Sequence, residues 1–194
     1  RIFRNCRLIG RRFRLAHIYF KGEIIEVSTF RGGQTSDTTL AHDNEYGSLE
    51  EDAWRRDFTV NALYLRVSDL SILDYTGGLA DLEQRLLRII GDAKKRYHED
   101  PVRILRAIRL AAKLELTIEE DTSTQIEPCL HLLDLVPAAR IFDEVLKMLF
   151  QGHATKTVPE LRKYSVWQKL FPLSEQWFAD DNAQKLFNIA LKAT

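Results

Sequence analysis

The 194-residue chain carries 28 basic and 28 acidic side chains, and 45 % of its residues are apolar. This balance argues against a protein that holds nucleic acid merely by being basic throughout, and the apolar content suffices for a real core. No apolar stretch approaches the roughly 20 residues of a membrane helix, no secretion signal opens the chain, and Cys6 and Cys129 are too far apart in sequence to suggest a disulfide framework. We therefore expect a soluble, cytosolic protein. A monomer is the expected state, although nothing in the composition implies it.

The first fourteen residues are rich in arginine, whereas the region from Asp37 to Asp52 is mainly acidic. Arg11 and Arg12 belong to this basic start. Such a segment can contact the phosphates of RNA or form a solvated face beside a sheet, and the sequence leaves both interpretations open.

A β-hairpin is predicted next. Segments 13–20 and 23–30 are rich in β-branched and aromatic residues and flank a tight turn at Lys21-Gly22. Within the second strand, Glu26 is either a solvent-facing glutamate or a metal ligand on a rigid strand. Hard cations such as Mg²⁺ prefer several oxygen ligands, so a metal site here would need carboxylates from elsewhere.

After a polar segment at 32–44, predicted to be a loop, Ser48 and Glu51 form a capping-box pattern that begins a helix running toward Arg56. An i,i+3 or i,i+4 pair between Asp52 and the arginines near the end of this helix would explain part of the charge cheaply.

The charged residues just after that helix have a second interpretation. Arg55 and Arg56 could bind phosphate oxygens, while Asp57 and Asn61 could bind sugar hydroxyls or orient the arginines. Together they would suit a nucleotide.

Residues 62–78 predict a strand, a turn at Ser68-Asp69, a second short strand and a break at Gly77-Gly78. The apolar period then becomes helical, which predicts an all-helical remainder. Its helix starts are marked by sequence signals: Asp100 as an N-cap before Pro101, a capping box of Thr117 with Glu120, and Pro137.

Arg103 follows Glu99 and Asp100 at helical spacing, so a salt bridge and a cap account for all three residues. Alternatively, Asp100 and Arg103 present an acceptor and a donor fork to the edge of a base. Arg106 and Arg109 continue a basic ridge that could follow RNA phosphates.

The predicted fold class is α+β: a small mixed sheet with helices up to about residue 80, followed by helices. The change of class suggests two lobes with a site near their junction.

Four segments in series resemble the class II nucleotidyltransferases, the family of bacterial poly(A) polymerases and tRNA CCA-adding enzymes. Two further stretches, "CRLIGRRFRLAHI" and "VPAARIFDEVLKML", are similar to the proteobacterial poly(A) polymerase branch. The four segments are "EIIEVSTFRG", "EEDAWRRDFTVNALYL", "DYTGGLADL" and "EDPVRILRAIRLAAKL".

The resemblance implies a partial nucleotidyltransferase head at residues 1–80, a helical neck that recognises the base at 81–150, and the start of a helical body at 151–194. It implies ATP as substrate, RNA 3′ ends as acceptor and two Mg²⁺ ions. The residues that match the family's motifs are Glu26 as the third catalytic, metal-binding carboxylate, Arg55, Arg56, Asp57 and Asn61 for the nucleotide, and Asp100 and Arg103 for the base.

The family's Gly-Gly and Asp-x-Asp motifs would lie upstream of Arg1 and are absent from this chain, and the helical body is short. We therefore expect adenylate addition by the parent protein but little or no catalysis by this chain alone. CCA addition and a noncatalytic RNA-binding module are the competing interpretations.

Overall fold

The computed structural model describes residues 2–9, 15–32, 46–174 and 181–192. The chain forms two compact units, one ending at Arg56 and one beginning at Asp57. The predicted fold class, α+β, is confirmed, whereas the predicted divisions at residues 80 and 150 stay predictions. In the part of the chain that the structure describes, no helix is long and apolar enough to span a membrane.

The first unit contains a three-stranded antiparallel sheet and a short helix. In the predicted hairpin, which is confirmed, Lys21 and Gly22 both have positive φ, the conformation that suits a tight two-residue turn. The elements are β1 (Cys6–Ile9), β2 (Leu15–Phe20), β3 (Glu23–Val27) and α1 (Leu49–Arg55).

The predicted capping box at the start of α1 is also confirmed. The Glu51 N–H donates to Ser48 Oγ at 3.2 Å, and the Ser48 N–H donates to the Glu51 carboxylate at 2.6 Å. These reciprocal bonds satisfy two backbone donors that a helix start otherwise leaves without partners.

The predicted loop at 32–44 lies almost entirely outside the described residues, but its two flanks are held together. Arg31 and Tyr46 form an antiparallel bridge, and the Gly47 N–H donates to the Phe30 carbonyl at 3.1 Å. A Cβ on Gly47 would lie 2.3 Å from the Gly32 nitrogen, so this backbone approach requires glycine.

The second unit begins with a 3₁₀ turn (Thr59–Asn61) and an antiparallel hairpin, as predicted for residues 62–78, and continues mainly as helices. The strands are β4 (Leu63–Leu65), β5 (Ile72–Asp74), β6 (Leu86–Leu87) and β7 (Thr117–Ile118). The helices are α2 (Gly78–Glu83), α3 (Ala93–Glu99), α4 (Val102–Leu114), α5 (Glu120–Thr124), α6 (Ile126–Cys129), α7 (Ala138–Leu149), α8 (Ala154–Lys163), α9 (Val166–Leu170) and a last helix, Asp181–Lys192, with further 3₁₀ turns at Leu130–Leu135 and Pro172–Ser174.

Two predicted helix starts are wrong in detail. Thr117 does not cap a helix, because it lies in β7, which pairs in parallel with β6; the cap of α5 is Glu119, whose carboxylate accepts from the Thr122 N–H. The N-cap of α4 is Pro101, and Asp100 precedes it at the end of α3. The predicted helix after Pro137 is confirmed.

The core of the second unit is built around α4. Leu105 and Ile108 on this helix, Phe58 before the 3₁₀ turn and Tyr97 on α3 are fully buried. Each buried side chain of this size contributes about 1.5–3 kcal/mol relative to its exposed state. The core thereby fixes the positions of α3, α4 and the segment that follows Asp57.

Candidate nucleotide-binding site

Glu26 lies on β3 directly opposite His17 on β2. His17 Nε2 lies 3.1 Å from Glu26 Oε1, and the exposed fractions of the two side chains are 16 % and 62 %. The imidazole therefore holds an otherwise exposed carboxylate on one side. Counting outward from the Lys21-Gly22 turn pairs His17 with Glu26, so the predicted hairpin already contained a signal for this contact.

The described residues offer an incomplete set of metal ligands. Glu26 supplies one carboxylate, and the described residues contain no group of three His, Cys, Asp or Glu side chains able to hold a metal ion. Mg²⁺ in a two-metal site takes several oxygen ligands. The described residues therefore do not by themselves fit such a centre.

A polar pocket of about 300 Å³ in the first unit brings three arginines together. The Arg31 N–H donates to one oxygen of Asp52 at 3.2 Å, and the Arg56 guanidinium donates to the other at 3.1 and 3.3 Å. The predicted pairing of Asp52 with an arginine of this helix is thus confirmed for Arg56. The pocket is lined by Ser28, Arg31, Asp52, Arg55 and Arg56.

This pocket has the chemistry of an anion site. Among the described residues, its lining has three guanidinium groups and one carboxylate, and guanidinium forks match the geometry of phosphate oxygens. Arg31 and Ser28 were missed from sequence because they belong to the segment after β3, and no local signal places them beside α1.

In the second unit, Asp57 contacts three other residues through its two carboxylate oxygens. Its Oδ1 accepts from the Phe58 N–H at 2.9 Å and from the Asn61 amide at 3.1 Å, while its Oδ2 lies 2.6 Å from Arg106 Nη2. Asp57 is 9 % exposed. This carboxylate therefore orients Asn61, a role that the sequence did not predict, and sugar binding by Asp57 and Asn61 stays a prediction.

Residues of the motif "DYTGGLADL" pack against Thr59, the first residue of the 3₁₀ turn that also contains Asn61. Asp81 accepts from the Thr59 hydroxyl at 2.7 Å, and a Cβ on Gly78 would lie 2.3 Å from the Thr59 carbonyl oxygen. Asp74 accepts four backbone N–H bonds at the start of α2; burial raises its pKa, but these bonds outweigh burial and lower the pKa of Asp74 below its ordinary value.

Asp100 and Arg103 bond to different partners. Asp100 accepts from Arg140 on α7 at 2.9 Å. Arg103 donates to the Arg96 carbonyl at 2.7 Å and to Glu99 at 3.0 Å, which confirms the predicted i,i+4 pair. Both side chains are thus held in place at the start of α4, where α3, α4 and α7 converge.

Arg96 is a buried cation that sequence reasoning missed. Its guanidinium lies 2.9 Å from Glu99, and burial together with the nearby Arg103 lowers its pKa from the ordinary arginine value. The negative charge of Asp57 acts in the opposite direction and raises the pKa of the Arg96 guanidinium. Arg96 therefore lies within electrostatic reach of both Asp57 and Arg103.

The residues predicted to contact RNA have varied surroundings. Arg11 and Arg12 lie outside the described residues. Arg106 pairs with Asp57, and Arg109 donates to the buried Glu144 at 2.9 Å. RNA contact by these arginines stays a prediction, as does a shared cleft for Glu26 and the pair Asp100 and Arg103.

Two family models match the chain. One, the poly(A) polymerase head domain, matches residues 1–88, and the other, the probable RNA and SrmB-binding site of polymerase A, matches residues 115–178. Poly(A) polymerase I of Salmonella typhi is 49 % identical over 93 % of this chain and 42 % of its own length, and that of Escherichia coli O157:H7 is 46 % identical over 100 % and 45 %. The CCA-adding enzyme of Lactobacillus johnsonii is 40 % identical over 68 % of this chain and 33 % of its own length.

Solved structures agree with this relationship. The Bacillus stearothermophilus CCA-adding enzyme in complex with CTP matches with a TM-score of 0.78 at 28 % identity, over 100 % of this chain and 50 % of that one. A tRNA nucleotidyltransferase complexed with a primer tRNA and an incoming ATP analog matches with a TM-score of 0.71 at 29 % identity, over 86 % and 47 %. The chain spans less than half the length of each of these curated relatives. It belongs to the class II nucleotidyltransferase family, on its poly(A) polymerase branch.

Proposed function

We propose that the chain forms the nucleotide-binding part of an enzyme that adds adenylate to RNA 3′ ends from ATP without a template. The carrying observation is the 45–49 % identity to poly(A) polymerase I proteins over 93–100 % of the chain. The polar pocket supports it independently, because three arginines suit a triphosphate.

Each residue that was predicted to bind the nucleotide or the metal then has a role. Arg55 and Arg56, joined by Arg31, bind the triphosphate; Asn61, oriented by Asp57, binds the ribose; Asp100 and Arg103 read the base. Glu26 supplies one carboxylate toward Mg²⁺, which when bound would stabilise the phosphates and activate the 3′-hydroxyl. The other carboxylates would have to come from outside the residues that the structure describes.

The pocket is tested by ATP binding. We expect the purified chain to bind ATP, measured by isothermal titration calorimetry, and Arg56→Gln to weaken binding about tenfold, the effect of one lost charge-assisted hydrogen bond. Arg7→Gln, on β1 and outside the pocket, is the matched control. Equal affinity of Arg56→Gln and the unmodified chain would contradict this site.

The reaction is tested in a chimaera. This chain would replace the corresponding segment of Escherichia coli O157:H7 poly(A) polymerase I, and extension of an RNA primer with Mg²⁺ would be followed on gels. We expect adenylate tails from ATP with the chimaera, their loss in Glu26→Gln, and no extension by the isolated chain. Extension by the isolated chain would contradict its proposed inactivity.

CCA addition is the second candidate, because CCA-adding enzymes are 38–40 % identical over about two thirds of the chain. It predicts that the chimaera incorporates CTP on a tRNA without its CCA end, whereas the leading proposal predicts selective use of ATP. A noncatalytic RNA-binding module, favoured only by the match at residues 115–178, predicts RNA binding without ATP binding. The monomeric state and cytosolic location belong to the same proposal.

A further inference from the structure

We infer that Arg106 is a positioning residue of the nucleotide site, which acts through Asp57 and Asn61 to select the sugar of the incoming nucleotide. The ligand in this inference rests on the proposed function. The contact that carries it joins two residues far apart in sequence: Arg106 Nη2 on α4 lies 2.6 Å from Asp57 Oδ2.

The contact between Arg106 and Asp57 matters because the Asp57 carboxylate is buried. Asp57 is 9 % exposed, and a carboxylate withdrawn from water needs a compensating partner. Arg106 provides the positive charge. If Arg106 turned away to bind an RNA phosphate, this buried carboxylate would lose the guanidinium that lies 2.6 Å from its Oδ2, so an RNA role for Arg106 competes with the observed pairing.

The other oxygen of Asp57 fixes Asn61. It accepts from the Asn61 amide at 3.1 Å and from the Phe58 N–H at 2.9 Å, which ties the side chain to the 3₁₀ turn Thr59–Asn61. The bond to Asp57 uses one N–H of Asn61 and orients the rest of the amide. A carbonyl oxygen and an N–H in fixed positions match the donor and acceptor capacity of a ribose hydroxyl.

The same helix carries the base-reading arginine. Arg103 lies one turn before Arg106 on α4, so the two side chains start from neighbouring positions on the helix surface. Buried Arg96 is within electrostatic reach of both Asp57 and Arg103. Helix α4 thus sets the sugar-binding amide and the base-reading guanidinium from a single rigid element.

The inference makes a distinctive demand on selectivity. Loss of Arg106 should release Asp57 and Asn61, so the contact to the ribose 2′-hydroxyl should weaken more than contacts to phosphate or base. A purely architectural role would weaken ATP and dATP equally, and an RNA-binding role would weaken neither.

The test compares Arg106→Gln, Arg106→Lys and Asn61→Ala with the unmodified chain, and uses Lys113→Gln, an exposed position on the same helix, as the control. ATP and dATP affinities are measured by calorimetry, and affinity for a labelled RNA oligonucleotide by fluorescence anisotropy. We expect the ATP-to-dATP affinity ratio to fall about tenfold in Arg106→Gln and in Asn61→Ala, the effect of one hydrogen bond. Arg106→Lys should partly restore the ratio. The double variant that combines Arg106→Gln with Asn61→Ala should lower the ratio no further than either single variant.

A second measurement does not depend on nucleotide. Hydrogen exchange of the Phe58 and Asn61 amides, followed by NMR, should accelerate in Arg106→Gln and stay unchanged in Lys113→Gln. If the unmodified chain binds neither ATP nor dATP, the proposed function fails, and this exchange decides whether Arg106 positions the turn. Unchanged exchange, an equal loss of ATP and dATP, or weaker RNA binding alone would each overturn the inference.

Discussion

The two compact units hold their side chains by different means. In the second unit, Phe58, Tyr97 and Leu105 are fully buried, whereas on β3 of the first unit Ile24 and Ile25, which point to opposite faces, are 51 % and 50 % exposed. Ala53 is the only buried apolar residue among the described residues of the first unit. The second unit is stabilised by apolar burial, and the first by backbone pairing and by the contacts of Asp52, so substitutions should affect them unequally.

The largest effect is expected in the core of the second unit. Leu105→Ala removes a fully buried side chain from α4 and should lower the free energy of unfolding by about 2–5 kcal/mol, because transfer and cavity costs add. Urea unfolding followed by fluorescence of the buried Trp167 measures it. A loss below about 1 kcal/mol, the range of well-tolerated substitutions, would break the comparison.

A smaller effect is expected where Gly78, at the start of α2, packs against Thr59. Gly78→Ala places a Cβ against the Thr59 carbonyl and should cost about 1–3 kcal/mol through overpacking. The control is Gly77→Ala, which meets no neighbour but has a φ of +82° and should cost about 1 kcal/mol or less. Urea unfolding of both variants separates crowding from backbone strain, and equal losses would contradict the crowding.

A pH-dependent effect is expected at Asp74. The four N–H bonds lower its pKa in the folded state, so its contribution is present above the ordinary carboxyl pKa of about 4 and is lost as pH falls through the folded value. Asp74→Asn should therefore be less stable than the unmodified chain at pH 7, with the difference shrinking toward pH 2. Thermal melts by circular dichroism across this range measure it. A constant difference would contradict the assignment.

The smallest effect is expected on the sheet of the first unit. Ile24→Ala and Ile25→Ala remove half-exposed side chains and should each change the free energy of unfolding by within about 0.5 kcal/mol. Guanidinium unfolding followed by circular dichroism is the measurement. A loss above about 2 kcal/mol for either variant would show that its face of the sheet is covered in solution, which would sharpen the comparison.

Signals confined to a few neighbouring residues predicted their structures well. The turn at Lys21-Gly22, the capping box of Ser48 with Glu51 and the helix after Pro137 each depend on contacts within one turn. The pattern at Thr117 failed because a parallel pairing with β6, about 30 residues away, gives that residue a strand partner. Parallel pairing leaves no local mark, so the capping pattern was misleading.

The candidate site divides in the same way. The sequence alone shows the cluster of charged residues around Arg56 and Asp57 that is predicted to bind a nucleotide, and the Glu99–Arg103 pair follows from helical spacing. The partner of Asp57, by contrast, is Arg106, nearly 50 residues later, and the arginine predicted for RNA was therefore assigned without its nearest charge. Long-range packing decides which of several plausible arginines faces which carboxylate, and periodicity does not contain that information.

The glycine contact beside the polar pocket bears on how proteins with this hairpin can diverge. The backbones of Gly32 and Gly47 lie in close contact and hold the two flanks of the intervening segment together. Arg31 and the start of α1 should therefore keep their positions whatever the length of chain between them. The entropic cost of closing a longer excursion grows only slowly with its length. Insertions and deletions at 33–45 should therefore accumulate without displacing Arg31 or the start of α1, as long as both glycines are retained.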